Sequence, residues 1–154
     1  MENESTAKTL GIDYGEKRIG TAVSDDLFIT AQPFETITYK GLEKALGRIK
    51  EIVSEKKIDR IVVGIPLTLR GEAGHKAEEV SQFIANLQAA LPAMEIKTWD
   101  ERLTTSQAER VMIEGGSRRI DRRQKIDTLA AAIMLQSYMD YINLRISAKH
   151  EIKR

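Results

Sequence analysis

The stretch Thr9-Leu10-Gly11-Ile12-Asp13-Tyr14-Gly15-Glu16-Lys17-Arg18-Ile19-Gly20-Thr21-Ala22-Val23-Ser24 decides the architecture. Thr9 to Asp13 reads as a first strand with Leu10 and Ile12 on one face, and Tyr14 to Lys17 as a turn containing Gly15. Arg18 to Ser24 reads as a second strand, and Glu35 to Tyr39 as a third. Connections this short imply an antiparallel meander.

Beyond the meander, helix and strand alternate. Leu42, Ala45, Leu46, Ile49, Ile52 and Val53 recur at helical spacing between Gly41 and Lys57. Ile58 to Ile65 carries the run Ile61-Val62-Val63, whose near-continuous apolar character fits a parallel strand covered on both faces. Val80, Phe83, Ile84 and Leu87 mark a second helix ending near Pro92, and Met94 to Trp99 a fifth strand. Thr104 and Gln107 form a capping box for a third helix that Gly115-Gly116 stops. A long last helix is expected from about Arg122 to Ile142, with Ser147 to Arg154 as a frayed polar tail. The order predicts one α/β domain over residues 1–146, a mixed sheet with helices on its faces, followed by a tail at 147–154.

The chain has 154 residues, 42% hydrophobic and 31% charged, which suits one globular core. No cysteine is present, which excludes disulfides, zinc–thiolate sites and a Cys nucleophile. The N-terminus carries no apolar signal region and no run approaches a membrane span, so a soluble, cytoplasmic protein without a membrane partner is expected. The net charge is only +1, so any contact with nucleic acid must come from a local basic cluster.

Ligands of open α/β sheets sit at the carboxyl ends of the parallel strands. Asp13 ends the first strand, Asp100 and Glu101 end the fifth, and Asp127 lies in the first turns of the last helix. Small residues at Ala130 and Ala131 would let that helix approach the sheet and bring Asp127 near Asp13, although an acid there also suits a plain helix start. Carboxylates held close together repel, and a divalent cation removes the conflict. With oxygen ligands only, Mg²⁺ or Mn²⁺ is favoured over zinc, and two ions about 4 Å apart suit phosphodiester hydrolysis.

Gly15 and Gly20 allow a phosphate close to the backbone, and Arg18 stands between them, although a simple hairpin explains the same glycines. Gly64, Gly71 and Gly74 mark a loop that could present N–H groups to phosphate or merely connect. The run Arg118-Arg119-Ile120-Asp121-Arg122-Arg123-Gln124-Lys125 places five cations before Asp127, and Arg102 adjoins Glu101; such residues suit a polyanionic backbone. His75 and His150 lack partners at metal-ligand spacing, and Trp99, Met134 and Met139 read as packing residues.

Four blocks in order carry a family resemblance from about Thr9 to Tyr141: Gly11-Ile12-Asp13-Tyr14-Gly15 with Arg18-Ile19-Gly20; Val62-Val63-Gly64-Ile65-Pro66-Leu67 with Gly71; Asp100-Glu101-Arg102-Leu103-Thr104-Thr105 with Ala108; and Lys125-Ile126-Asp127 with Ala130-Ala131 and Leu135-Gln136-Ser137-Tyr138. In these the chain resembles the YqgF family of Holliday junction resolvase-like and pre-16S rRNA-processing nucleases. The resemblance implies a ribonuclease H-like fold with sheet order 3-2-1-4-5 and metal-dependent cleavage of nucleic acid. It implies Asp13, Glu101 and Asp127 as catalytic metal ligands, favouring Glu101 over Asp100. Gly15, Arg18, Arg102, Arg119, Arg122, Arg123 and Lys125 are the expected substrate contacts. The implied role is 5′-end maturation of small-subunit ribosomal RNA, acting on the ribosomal precursor, or resolution of branched DNA, as a monomer or homodimer.

Two other readings remain open on residues alone. The Asp-x-Gly turn resembles the phosphate loop of actin-like ATPases, which need two such domains. A non-enzymatic RNA-binding or ribosome-assembly factor would need the basic cluster but no carboxylate set.

Overall fold

The computed structural model describes residues 5–15, 17–38, 40–65, 74–103 and 122–152. Strands β1 (Thr9–Tyr14), β2 (Arg18–Ser24) and β3 (Ala31–Thr38) lead into helix α1 (Leu42–Lys56). Then follow β4 (Arg60–Ile65), α2 (His75–Ala90), β5 (Glu95–Asp100), a 3-10 turn (Glu101–Leu103) and α3 (Arg122–Ile152). The sheet order is β3-β2-β1-β4-β5, as expected. β1, β2 and β3 pair antiparallel, whereas β1, β4 and β5 run parallel.

Alternation along the strands sends side chains to two cores. On one face Leu10, Ile12, Ile19, Ile61 and Val63 pack with Ile49 and Ile52 of α1 and with Phe83 and Leu87 of α2. On the other, Ala22 and Val62 meet Ala131, Ala132, Leu135 and Met139 of α3. This second face is nearly bare of large strand side chains because β1 and β2 place glycine there. A Cβ on Gly11 would lie 2.9 Å from Leu135 Cβ, and one on Gly20 would overlap the backbone carbonyl of Asp127. Small residues on the helix and glycines on β1 and β2 together let α3 lie against the sheet.

β1 ends one residue later than expected, at Tyr14, and β5 is shifted by one residue to Glu95–Asp100; three boundaries differ by more. β3 begins at Ala31, not Glu35, and passes through Pro33. Proline is tolerated on an edge strand, and the register shift between Gly20 and Ala22 absorbs the irregularity. The Gln136 side chain secures this end, accepting from Ala31 N–H at 2.8 Å and donating to Ile29 O at 2.9 Å. The second correction concerns the expected frayed tail: α3 runs on to Ile152, so residues 147–152 are helical. Buried Ile142, half-buried Ile146 and the Asn143 amide, which donates to Phe28 O at 2.8 Å, carry the helix past its expected end. Third, β4 starts at Arg60 rather than Ile58. The third helix expected from Thr104 and the loop residues Pro66, Leu67 and Gly71 lie outside the described residues.

At the amino ends of β4 and β5 the sheet is closed by Arg60, which is fully buried. Its guanidinium donates to Ser5 O (2.7 Å) and Ser5 Oγ (2.9 Å), and Nε lies 3.3 Å from Glu95. A charge buried this deeply persists because it is paired and hydrogen-bonded. Among the described residues no helix is long and apolar enough to cross a membrane.

Gly20→Ala is expected to push α3 off the sheet and to destabilise the fold by roughly 1–3 kcal/mol. Urea unfolding measures it, and unchanged stability would mean that the helix does not rest on this glycine.

Candidate active site

The carboxyl ends of β1, β4 and β5 point the same way, and each contributes at that edge. Ile12 pairs with Val63, and Ile65 with Asp100. Leu10, Ile12 and Tyr14 belong to the α1–α2 face, so Gly11 and Asp13 belong to the α3 face. On β5, Ile96 packs with the α1–α2 core and Trp99 with α3. That parity puts Glu101 on the side of Asp13 and turns Asp100 away.

The Asp13 and Glu101 side chains are in hydrogen-bond contact. Burial pushes the Asp13 carboxyl up from its ordinary value of 3.8 to about 7; the hydrogen bond with Glu101 and the charges of Glu101 and Asp127 add to the rise, while Lys76 opposes it. Gly64 makes room for this pair, since a Cβ there would lie 2.8 Å from Glu101 Oε1. The turn carrying Glu101 is pinned to α3 by Ser137 Oγ, which donates to Leu103 O at 2.8 Å.

Asp127 sits over β2, its backbone against Gly20. Arg18 Nε lies 3.0 Å from Asp127 Oδ2, yet that buried oxygen accepts no hydrogen bond among the described residues. The contact is therefore a charge pair with poor N–H alignment. Among the described residues no three Asp, Glu, His or Cys side chains close into one ligand cluster. Asp13 and Glu101 touch, and Asp127 acts on them through its charge.

Asp100 is engaged elsewhere. Arg102 Nε is 3.0 Å from both of its oxygens, Nη2 is 2.5 Å from Oδ2, and the Arg102 backbone N–H donates to Oδ1 at 2.9 Å. These bonds from Arg102 hold the Asp100 carboxyl below the usual carboxylate range. Of the expected substrate contacts, Arg102 is thus committed to Asp100 and Arg18 to Asp127. Gly15 is needed for the turn itself, because a Cβ would lie 2.6 Å from Arg18 O. Arg122, Arg123 and Lys125 fall in the first turn of α3, but their side chains, and all of Arg119, lie outside the described residues. Lys76, in the first turn of α2, was not singled out by the sequence reading. Its only sequence signal is a cation opening the helix that follows β4.

The block Leu135-Gln136-Ser137-Tyr138 proves to be the seam of the molecule. Leu135 fills the space above Gly11, Gln136 ties down the start of β3, Ser137 holds the Glu101 turn, and Tyr138 packs edge-on against Trp99 with ring centres 5.5 Å apart.

A five-stranded mixed sheet in this order, with helices on both faces, is the ribonuclease H-like fold. T. thermophilus RuvC in complex with a Holliday junction substrate matches it with a TM-score of 0.63 and 15% identity, over 92% of this chain and 96% of that one. The Fowlpox virus resolvase, in complex with Holliday junction DNA, matches with a TM-score of 0.54 and 14% identity, over 88% and 98%. At these identities the likeness speaks for the fold alone. The sequence profile described as "RuvX: Holliday junction resolvase" matches residues 7–141. An Agathobacter rectalis protein is 42% identical over 139 residues, covering 88% of this chain and 96% of its own. A Halothermothrix orenii protein is 43% identical over 136 residues, covering 88% and 96%. Both carry the name "Putative pre-16S rRNA nuclease". The chain belongs to the RuvX family.

The folded state holds the Asp13 proton more tightly than the unfolded chain does. Its contribution to stability is therefore fully present below about pH 4 and lost as pH rises through about 7. In chelator-containing buffer, thermal melts between pH 5 and 8 should fall more steeply for wild type than for Asp13→Asn. Equal slopes would contradict the raised Asp13 carboxyl.

Proposed function

We propose that this chain is a metal-dependent nuclease that hydrolyses phosphodiester bonds, with Asp13, Glu101 and Asp127 holding Mg²⁺ or Mn²⁺. The observation that carries this is the half-buried Asp13–Glu101 carboxyl pair, with the unsatisfied Asp127 oxygen on the same face. Such an oxygen-only set lacks positive charge at neutral pH, and its donors suit one or two hard cations. When bound, the cations would polarise the phosphate and lower the pKa of water.

The chain's own groups set up the rest. Glu101 is fixed by the Ser137-anchored turn, so its carboxylate is positioned before substrate arrives. Arg18 offsets the Asp127 charge and is exposed enough to exchange that partner for a phosphate. Lys76 adds positive charge beside Asp13 and draws a polyanion to the edge where the acids lie.

The favoured substrate is the 5′ end of pre-16S ribosomal RNA in the small-subunit precursor, processed in the cytoplasm. The relatives at 42% and 43% identity support it, being named for that RNA. A Holliday junction, named for the family profile and for the fold neighbours, is the second reading. Resolution of a symmetric junction needs a two-fold dimer, whereas RNA trimming is compatible with a monomer.

Cleavage of a pre-16S leader and of a four-way DNA junction, with Mg²⁺ or Mn²⁺, tests the reading. Asp13→Asn and Asp127→Asn should each lower the rate roughly 100-fold or more, corresponding to several kcal/mol of lost transition-state stabilisation. Wild-type rates in both variants would refute the site. Wild type that binds RNA but cuts neither substrate would favour a non-enzymatic assembly factor. Neutralising Arg119, Arg122 and Arg123 together should weaken binding and flatten its salt dependence, which an anisotropy titration at several salt concentrations measures.

A further inference from the structure

The chain's single tryptophan, Trp99, lies on β5, an outer strand of the sheet, two residues before Glu101. Alternation along β5 puts Glu95, Lys97 and Trp99 on the α3 face, the face that carries the acids. Tyr138 of α3 packs edge-on against the indole and is buried. Tyr141 makes a further, tilted contact with it, ring centres 5.3 Å apart and planes at 51°, yet stays 42% exposed. The Arg145 guanidinium, one turn further along α3, lies 5.3 Å from the centre of the Tyr141 ring. Leu144, exposed, continues the apolar surface beside them.

Covering Trp99 does not account for this arrangement. Tyr138 covers it from a buried position, and the core has no need of a half-exposed ring with a cation over it. The surrounding charges favour a ligand that carries negative charge. Arg145 and Lys149 stand one and two turns after Tyr141, both exposed. Glu95, the acid on this face of β5, is held by Arg60 at 3.3 Å and Lys97 at 3.7 Å. Asp140 is turned aside to the Gln136 amide at 2.9 Å. An exposed aromatic ring beside an arginine, in positive surroundings, is the chemistry that stacks an unpaired nucleobase while cations hold its phosphates.

The patch is also continuous with the acid edge. Ser137 bonds the turn that carries Glu101, and Tyr141 follows Ser137 by one turn, about 6 Å along α3. A strand lying across Asp13 and Glu101 reaches the ring within a few nucleotides, at about 3.4 Å each.

We propose that Tyr141, backed by Trp99 and flanked by Arg145, stacks an unpaired base of the substrate strand a few nucleotides from the bond that is cut. This rests on the nuclease reading and narrows its substrate to strands with an unpaired segment on the β5 side of the acids. A continuous duplex keeps its bases stacked on one another and gains nothing from the ring. The contact is indifferent to sequence, since every base has a flat face.

Trp99 reports the contact directly. In chelator, so that nothing is cut, a short single-stranded RNA should quench the Trp99 emission of wild type, and an abasic strand of the same length should not. Anisotropy titrations of fluorescein-labelled single-stranded and duplex RNA then compare wild type, Tyr141→Leu and Tyr141→Phe. Tyr141→Leu should bind the single strand roughly tenfold more weakly, bind the duplex as wild type does, and keep the wild-type salt slope because no phosphate contact is lost. Tyr141→Phe, which keeps the ring, should bind both as wild type does. Tyr141→Leu that holds the single strand as tightly as wild type, or that loses as much on the duplex, would overturn the proposal. So would Trp99 emission that the abasic strand quenches equally, or that RNA leaves unchanged, and this measurement needs no variant to fold. Unchanged emission would assign the patch to a protein partner instead. Each of these results leaves the nuclease reading standing, since cleavage by wild type tests that reading separately.

Discussion

The close approach of α3 to the sheet is the constraint on which the rest depends. It needs absent side chains on the strands, at Gly11 and Gly20, and small ones on the helix, at Ala131 and Ala132. With a Cβ at Gly20 the Asp127 backbone could not lie over β2, and the helix would carry its acid away from Asp13. The same approach lets Ser137 reach Leu103 and fix the turn that bears Glu101. Packing and site geometry are therefore one arrangement. Glycines that look like losses of buried area in the second core are what brings the acids together.

That arrangement places carboxylates where they oppose one another. Asp13 is driven up by burial and by Glu101, and Asp127 adds charge from the helix. A fold gains no stability from such a cluster, and hydrophobic residues of similar size would pack there at less cost. The molecule limits the conflict with Arg18 on Asp127 and with the charge of Lys76. Arg102, by contrast, takes up Asp100 and leaves Glu101 free to face Asp13. The electrostatic cost is concentrated on one edge of the sheet, where an incoming cation would relieve it.

Much of this was readable in the sequence. β2 is legible to its observed ends because short connections bound it on both sides. Helix α1 was read within a residue because its apolar positions keep helical spacing. The first half of β3 was missed because Gln32 and Pro33 give no strand signal; an edge position and a bond from Gln136, 105 residues away in sequence, make it a strand. The choice between Asp100 and Glu101 stayed open on residues alone, since Ile96 and Trp99 are both apolar yet face opposite cores. Lys76 and the Arg18–Asp127 contact arise only when distant strands and helices converge. The extension of α3 was missed because its polar composition hides the packing of Ile146 and the bond from Asn143.

The central claim is that Asp13, Glu101 and Asp127 hold a cation while Asp100 does not. Mn²⁺ titration followed by electron paramagnetic resonance tests it directly, using wild type, Glu101→Gln and Asp100→Asn. The account predicts that Glu101→Gln loses Mn²⁺ binding and that Asp100→Asn retains it. Binding kept in Glu101→Gln and lost in Asp100→Asn would contradict it.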